Sequence, residues 1–188
     1  GLEQSKKNSS VCMACHGNTL TNGAPRIDLA THSHHKPETA GDLCTDCHLP
    51  TTVYMQRHPR HDHGFTVPDP RLTKELGIPN ACNRCHTNQT PDWSLEAMNK
   101  WYGPRTNELM RTRATAIAKA RAGDAAAVPA LVNMTSAETN FFWRAVAANL
   151  LQRWAAEPDA TAALLRCAGD TNELVRTAAV RGLEPLAQ

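Results

Sequence analysis

The sequence predicts a mainly α-helical chain in two parts, a first part with little regular structure and a second part built as an α-solenoid. Three observations lead to this expectation. A Cys-x-x-Cys-His pattern occurs three times in the first part, and all nine histidines lie there. Alanine rises from 5 residues in 1–92 to 23 in 93–188. A repeat with steps of 33 and 32 residues runs through the second part. The predicted boundary lies between 92 and 93, next to Thr90-Pro91.

Each occurrence of the pattern places two thiols three residues apart, with an imidazole directly after the second thiol. This is the attachment sequence of a c-type haem, in which the thiols bond to the two vinyl groups and the histidine is the proximal iron ligand. We therefore predict three covalently bound haem c groups. The predicted attachment and proximal residues are Cys12, Cys15 and His16; Cys44, Cys47 and His48; and Cys82, Cys85 and His86.

Two other kinds of site use Cys-x-x-Cys pairs, a zinc site and a reducible disulfide. Histidine makes up only 9 of the 188 residues. A histidine after all three pairs would arise by chance roughly once in ten thousand sequences if residues were placed independently. Neither alternative explains these histidines, so haem attachment is the favoured interpretation.

Composition limits the classes of function. The formal charge is +2, but each haem carries two propionates, so the loaded protein is expected to be acidic and a nucleic-acid role has little support. No apolar run approaches the roughly 18 residues of a membrane span. Nothing before Cys12 resembles a signal peptide, and haem is normally attached outside the cytoplasm, so we expect an exported mature chain or fragment, periplasmic or extracellular.

The first part contains only 16 large apolar residues in 92, too few for a bare polypeptide to form a core. Three macrocycles would supply the missing apolar bulk, so this part is expected to wrap them. Residues 1–10 are expected to be a flexible lead, and prolines make long helices unfavourable between Leu49 and Asn80. The seventh cysteine, Cys167, is expected to be a small core residue.

Three irons need three distal ligands, and six histidines remain after the proximal ones are assigned. They form two clusters, His32, His34 and His35, and His58, His61 and His63. The simplest expectation is bis-histidine ligation throughout, typical of low-potential haems that pass electrons. Our order of preference is His35 and His63, then His32 and His61, then His34 and His58. Met13 and Met55 are expected to be apolar filler.

The second part reads as stacked helix pairs. Thr90 and Pro91 are expected to begin a helix that stops at Gly103-Pro104. The repeat then aligns residues 106–112, 139–145 and 171–177, with helix stops at 123–124, 157–159 and 169–170. Aligned arginines in such repeats usually bond neighbouring carbonyls or Asp side chains, although a partner-binding stripe is an alternative; here they are Arg111, Arg144 and Arg176.

Residues 35–86 resemble the multihaem cytochromes related to pentahaem nitrite reductase and octahaem hydroxylamine oxidoreductase. The features that carry the resemblance are the histidine cluster, Cys44-x-x-Cys47-His48-Leu49-Pro50, Asp62-His63, and Pro79-Asn80-Ala81-Cys82-x-x-Cys85-His86. The tail is similar to HEAT repeats, most clearly at 170–183. The resemblance implies that His35 serves the haem on Cys82 and Cys85, and that His63 serves an upstream haem such as that on Cys12 and Cys15.

Two departures separate this chain from the enzymes of that group. The reductase has lysine as the proximal ligand of its catalytic haem, whereas all three motifs here end in histidine. The oxidoreductase needs a haem cross-linked to tyrosine, and neither Tyr54 nor Tyr102 lies in a recognisable context for it.

The leading expectation is therefore electron transfer without catalytic residues, toward a redox partner protein or a neighbouring cytochrome subunit. The surplus of histidines allows a ligand to be donated to another chain, which would favour a homo-oligomer or filament. The alternatives are a multihaem reductase of small nitrogen or sulfur oxyanions with one open iron, and a scaffold whose repeat tail docks the haems onto a partner.

Overall fold

The structure is a computed structural model that describes residues 9–17, 23–104 and 108–186, and within these ranges the chain is mainly helical. It divides into two compact units, residues 1–105 and 106–188. This division lies further along the chain than the expected boundary at 92–93, because the helix that begins at Pro91 packs within the first unit. Most of the expected flexible lead, residues 1–8, lies outside the described residues.

The first unit consists of short elements joined by irregular segments. They are α1 (Ser10–His16), α2 (Leu29–His32), α3 (Cys44–His48), β1 (Thr51–Tyr54), β2 (His58–His61), α4 (Pro70–Leu76), α5 (Ala81–Cys85) and α6 (Pro91–Tyr102). The two strands form an antiparallel hairpin with Thr51 opposite His61 and Tyr54 opposite His58. Between Leu49 and Asn80 the longest helix is the seven-residue α4, as the prolines predict.

Helix α6 has the ends that the sequence predicts. The Thr90 hydroxyl accepts a hydrogen bond from the Trp93 N–H at 3.2 Å, Pro91 occupies the first turn, and Gly103 follows with φ of 75°. The helix packs on α4 and α5. The Ser94 side chain, 1 % exposed, donates to the Asn83 amide oxygen at 3.0 Å and so ties α6 to the third motif.

The second unit contains five α-helices among its described residues: α7 (Glu108–Arg121), α8 (Val128–Ala137), α9 (Phe141–Leu151), α10 (Pro158–Ala168) and α11 (Glu173–Leu183). Short 3-10 turns at 125–127, 152–154 and 184–186 come after α7, α9 and α11. Consecutive helices pack together, and so do helices two apart, α8 with α10 and α9 with α11. Its core is rich in alanine, which lets helix axes approach closely, and it includes Cys167 at 3 % exposure, as expected.

Two of the three aligned arginines, Arg144 and Arg176, bond neighbouring carbonyls within the unit, as the sequence predicts. Arg144 donates to the carbonyls of residues 138 and 139, each at 3.0 Å, and Arg176 donates to those of residues 170 and 171 at 2.8 and 2.9 Å. Arg144 also forms a two-pronged ion pair with Asp170 at 2.9 and 3.1 Å. The same offsets in the two helices show that the sequence repeat corresponds to a repeated local structure.

Candidate haem-binding site

Each Cys-x-x-Cys-His motif lies on a short helix. The first is inside α1 and the second is the whole of α3, while the third lies on α5 with His86 directly after its end. Residues at i, i+3 and i+4 share one face of a helix. In α1 and α3 the helical backbone therefore brings the two thiols and the imidazole to the same side, and in α5 it does so for the two thiols; haem attachment requires this arrangement.

The thiols of neighbouring motifs lie close together. The Cys12 side chain hydrogen-bonds that of Cys44, and burial together with this neighbour raises the pKa of Cys12. Burial, with smaller contributions led by Cys82, raises the pKa of Cys47 to about 11. The buried Ser9 hydroxyl accepts from the Cys44 N–H at 3.1 Å. The second motif therefore lies between the first and the third, and its Cys47 thiol is protonated at neutral pH.

Four imidazoles are held in the same way. In His16, His35, His48 and His61 the Nδ1 atom lies 2.6 to 3.1 Å from a backbone carbonyl oxygen. A carbonyl can only accept, so Nδ1 carries a proton, and in the neutral imidazole the lone pair is then on Nε2. Metal-binding histidines are commonly oriented by such a bond from the other ring nitrogen. Two of the four are predicted proximal ligands and two are predicted distal ligands.

Burial separates the nine histidines into two groups. His34, His58 and His63 are exposed. The other six are half-buried: His16, His32, His35, His48, His61 and His86. Three bis-histidine irons need six axial ligands, so the half-buried group has the required number. His63, which the family resemblance favours, is exposed and has no described hydrogen bond or ring contact.

Two of the three motif imidazoles lie near a second imidazole. The His35 and His86 ring centroids are 6.2 Å apart, and those of His32 and His48 are 6.1 Å apart. The interplanar angles are 37° and 13°. Among the described residues no ring contact joins His16 to another imidazole. The structure thus places His35 beside the third motif, to which the family resemblance assigns it, and places His32 beside the second motif.

The ring separations fit an iron held between two imidazoles. With a metal–nitrogen distance of about 2 Å on each side and a ring centre about 1 Å behind the nitrogen, the centroids of two axial ligands lie about 6 Å apart. The interplanar angle does not alter this fit, because each ring can turn about its metal–nitrogen axis. At the second and third motifs the ring separations are therefore compatible with haem, and His35 and His32 are the candidates for the sixth ligand of two irons.

A distal-histidine loop, residues 32–35, supplies both of these side chains. His34, between His32 and His35, has φ of 54°, a left-handed conformation. The His35 ring rests against Gly41, whose φ is 89° and whose Cα leaves no space for a side chain: a Cβ there would lie 2.7 Å from His35 Cδ2. Residue 41 therefore has to be glycine for this ring position.

Three aromatic side chains of α6 surround the imidazoles. Trp93 contacts the His86 ring at 4.9 Å, and Trp101 stacks on His34 at 4.4 Å with an interplanar angle of 8°. Tyr102 contacts the His32 and His34 rings, each at 5.6 Å, and its hydroxyl donates to the His32 carbonyl. The sequence analysis assigned this helix to the tail and missed these residues. The detectable signal was three aromatics within twelve residues directly after the third motif.

Apolar side chains lie exposed around the motifs. Val53, Met55 and Phe65 are each at least 65 % exposed. A pocket of about 510 Å³ borders the first motif. It is lined by Met13, Gly17, Arg26, Ile27, Asp28 and Leu29. Both features are compatible with the expectation that macrocycles supply apolar bulk, with Met13 as filler against one of them.

Within the described residues no three His, Cys, Asp or Glu side chains are grouped as a bare metal ion would require. A haem iron takes only two ligands from the chain, so haem binding does not require such a group. None of the described helices is both long and apolar enough to cross a bilayer.

Comparison with family models, curated proteins and solved structures returns no match. The assignment of function therefore depends on the motifs and the geometry described above.

Proposed function

We propose that this chain is an electron-transfer protein, a c-type cytochrome that carries three covalently bound haems with bis-histidine ligation. The observation that carries the proposal is the placement of a second imidazole about 6 Å from two of the three motif imidazoles. When bound, haem supplies a one-electron iron couple. The chain's own residues would attach the haem, supply the sixth ligand of its iron and so exclude other ligands.

The proposed proximal ligands are His16, His48 and His86. His35 is the proposed distal ligand at the third motif and His32 at the second. For the first motif the remaining half-buried imidazole, His61, is favoured over His63, because its Nδ1 is held 2.7 Å from the Leu49 carbonyl oxygen while His63 is exposed. With all three irons closed by internal ligands, the protein would pass electrons without binding a substrate.

The packing of the three motifs supports transfer between haems. Thiols of the first and second motifs interact, as do those of the second and third. Attachment points this close would hold the three groups near one another in the order in which they occur in the chain. The expected partners are a donor or acceptor protein and neighbouring cytochrome subunits in a filament or larger redox complex. The expected location is the periplasm or the cell exterior.

For the second unit we propose a HEAT-like α-solenoid. Three features support it: the steps of 33 and 32 residues, the packing of helices two apart, and the repeated bonds of Arg144 and Arg176 to the carbonyls five and six residues earlier. A surface of this kind suits docking to a partner protein.

The experiment is expression with a c-type haem attachment system, followed by haem quantification and carbon monoxide binding. We expect three haems per chain, resistant to acid-acetone extraction, and two with replacement of Cys82 and Cys85 by alanine. Cys167→Ala is the matched control and should retain three. Absence of covalent haem would refute the proposal.

Carbon monoxide separates the carrier from the reductase. Added to the dithionite-reduced protein, it should leave the Soret band nearly unchanged if every iron has two histidine ligands. A large shift in the wild-type protein would refute full closure and favour a reductase with one open iron. His61→Ala should open one haem, whereas His63→Ala should not. The reverse result would transfer the ligand role to His63.

A further inference from the structure

We propose that Trp101 and Tyr102 form an aromatic clamp that positions the distal-histidine loop, and that Tyr102 is the residue that holds His32 on the iron of the second haem. This inference depends on the proposed function, since it concerns how a haem ligand is kept in place. It assigns a role to the end of α6, a helix whose other end contacts the third motif.

His32 needs support from outside its own helix. It is the last residue of α2, which has only four residues, and a helix this short is unstable alone because few hydrogen bonds offset the ordering of its backbone. The Tyr102 hydroxyl donates to the His32 carbonyl across 70 residues of sequence, and so fixes the backbone of the residue that carries the proposed ligand.

The rest of the clamp acts on His34. This residue has φ of 54°, which is unfavourable for a side chain with a Cβ and persists only where the surroundings hold it. Trp101 covers its ring in a nearly parallel stack at 4.4 Å, and Tyr102 meets the same ring edge-on at 5.6 Å. The clamp thus holds the turn that directs His32 and His35 toward different motifs.

The contacts also explain why the loop contains a third histidine. The His34 ring stacks on Trp101. This stack gives a packing role to the one imidazole of the loop that lies between the two proposed ligands in sequence. His34 is therefore assigned to the clamp, and His32 and His35 to the irons.

The test compares Tyr102→Phe with Tyr54→Phe, because these are the only two tyrosines and both changes remove one hydroxyl while retaining the ring. Tyr54 is 54 % exposed on the hairpin, which makes it a matched control. The measurement is the number of haems per chain that bind carbon monoxide in the reduced protein, together with a potentiometric titration.

We expect Tyr102→Phe to retain three haems and to increase the carbon monoxide-reactive fraction, by at most one haem per chain, with a shift in one of the three midpoint potentials. Tyr54→Phe should match the wild type. If Tyr102→Phe also matches the wild type in both measurements, the clamp is refuted while the haem count still supports the proposed function. A wild-type protein without covalent haem would instead refute the proposed function itself.

A second comparison tests whether Tyr102 acts through His32. In a His32→Ala protein the second iron is already open, so adding Tyr102→Phe should open no further haem. Opening of an additional haem in the double variant would refute this route.

If Tyr102→Phe yields too little loaded protein, Trp101→Leu removes the other half of the clamp and is judged by the same criterion: an increased reactive fraction supports the clamp and a wild-type fraction refutes it.

Discussion

Replacement of Gly41 by alanine should open the third haem. The added Cβ would lie 2.7 Å from Cδ2 and 2.8 Å from Nε2 of His35, well inside van der Waals contact. The neighbouring atoms belong to the proposed ligand ring, so the clash can be relieved only by moving the imidazole or the backbone of residue 41. Either movement disturbs the position of His35 opposite His86.

The size of the effect has two contributions. A side chain at a left-handed residue costs roughly 1–2 kcal/mol, and overpacking by one methyl group costs roughly 1–3 kcal/mol. The first is a loss of folding stability at φ of 89°, whatever surrounds the residue. The second acts on the ring, where roughly 1–3 kcal/mol shifts the ratio of ligated to open iron by roughly five- to 150-fold.

Gly77 offers a matched control, because its φ is 69° and a Cβ there would meet nothing within 4 Å. Gly77→Ala should reduce the free energy of unfolding by the backbone cost alone and leave carbon monoxide binding unchanged. Gly41→Ala should increase the carbon monoxide-reactive haem toward one per chain. Equal carbon monoxide binding in Gly41→Ala, Gly77→Ala and the wild type would show that His35 does not bind iron from this ring position.

Two further predictions concern the tryptophan beside His86 and the ion pairs of the second unit. Trp93→Leu should expose the His86 ring to more water. Because water stabilises the oxidised, more positive iron, one midpoint potential should fall by on the order of tens of millivolts. The control, Trp143→Leu in the second unit, should shift none of the three potentials. Asp170→Asn should destabilise the second unit by about 1.5–3 kcal/mol at neutral pH in chemical denaturation, the range for lost hydrogen bonds to a charged group, with the exposed Glu108→Gln as a near-neutral control. Hydrogen bonds from Arg144 hold the pKa of Asp170 below its usual 3.8, so this stabilisation is present above that pH and lost as pH falls through the depressed pKa. The difference between wild type and Asp170→Asn should therefore shrink at low pH, and a constant difference would refute the assignment.

Sequence patterns predicted the local elements well where a short stretch contains all the necessary chemistry. The bounds of α6 follow from Thr90, Pro91 and Gly103, which are a cap, a first-turn residue and a left-handed terminator. The internal bonds of Arg144 and Arg176 follow from the repeat. In each case the residues that decide the structure lie within a few positions of one another or recur at a fixed period.

The candidate site could be predicted only in part, because its geometry depends on contacts between distant segments. Nothing within residues 32–35 indicates that His34 turns away while His32 and His35 face different motifs. That arrangement depends on Gly41 and on side chains about seventy positions later, at the end of α6. The unit division at 105 has the same cause, since composition changes at residue 92 while packing continues through Tyr102.

These contacts give α6 a role that neither composition nor motif spacing indicated. Its first turn carries Trp93 against the proximal ligand of the third motif, and its last turn carries the clamp on the loop that serves the second and third motifs. One helix thus contacts the ligands of two proposed irons from its two ends. A displacement along the axis of α6 would change the surroundings of His86 and His32 together. Coupled shifts in two of the three midpoint potentials are therefore expected when the α6 backbone is perturbed, for example by Ser94→Ala, which removes its buried bond to Asn83.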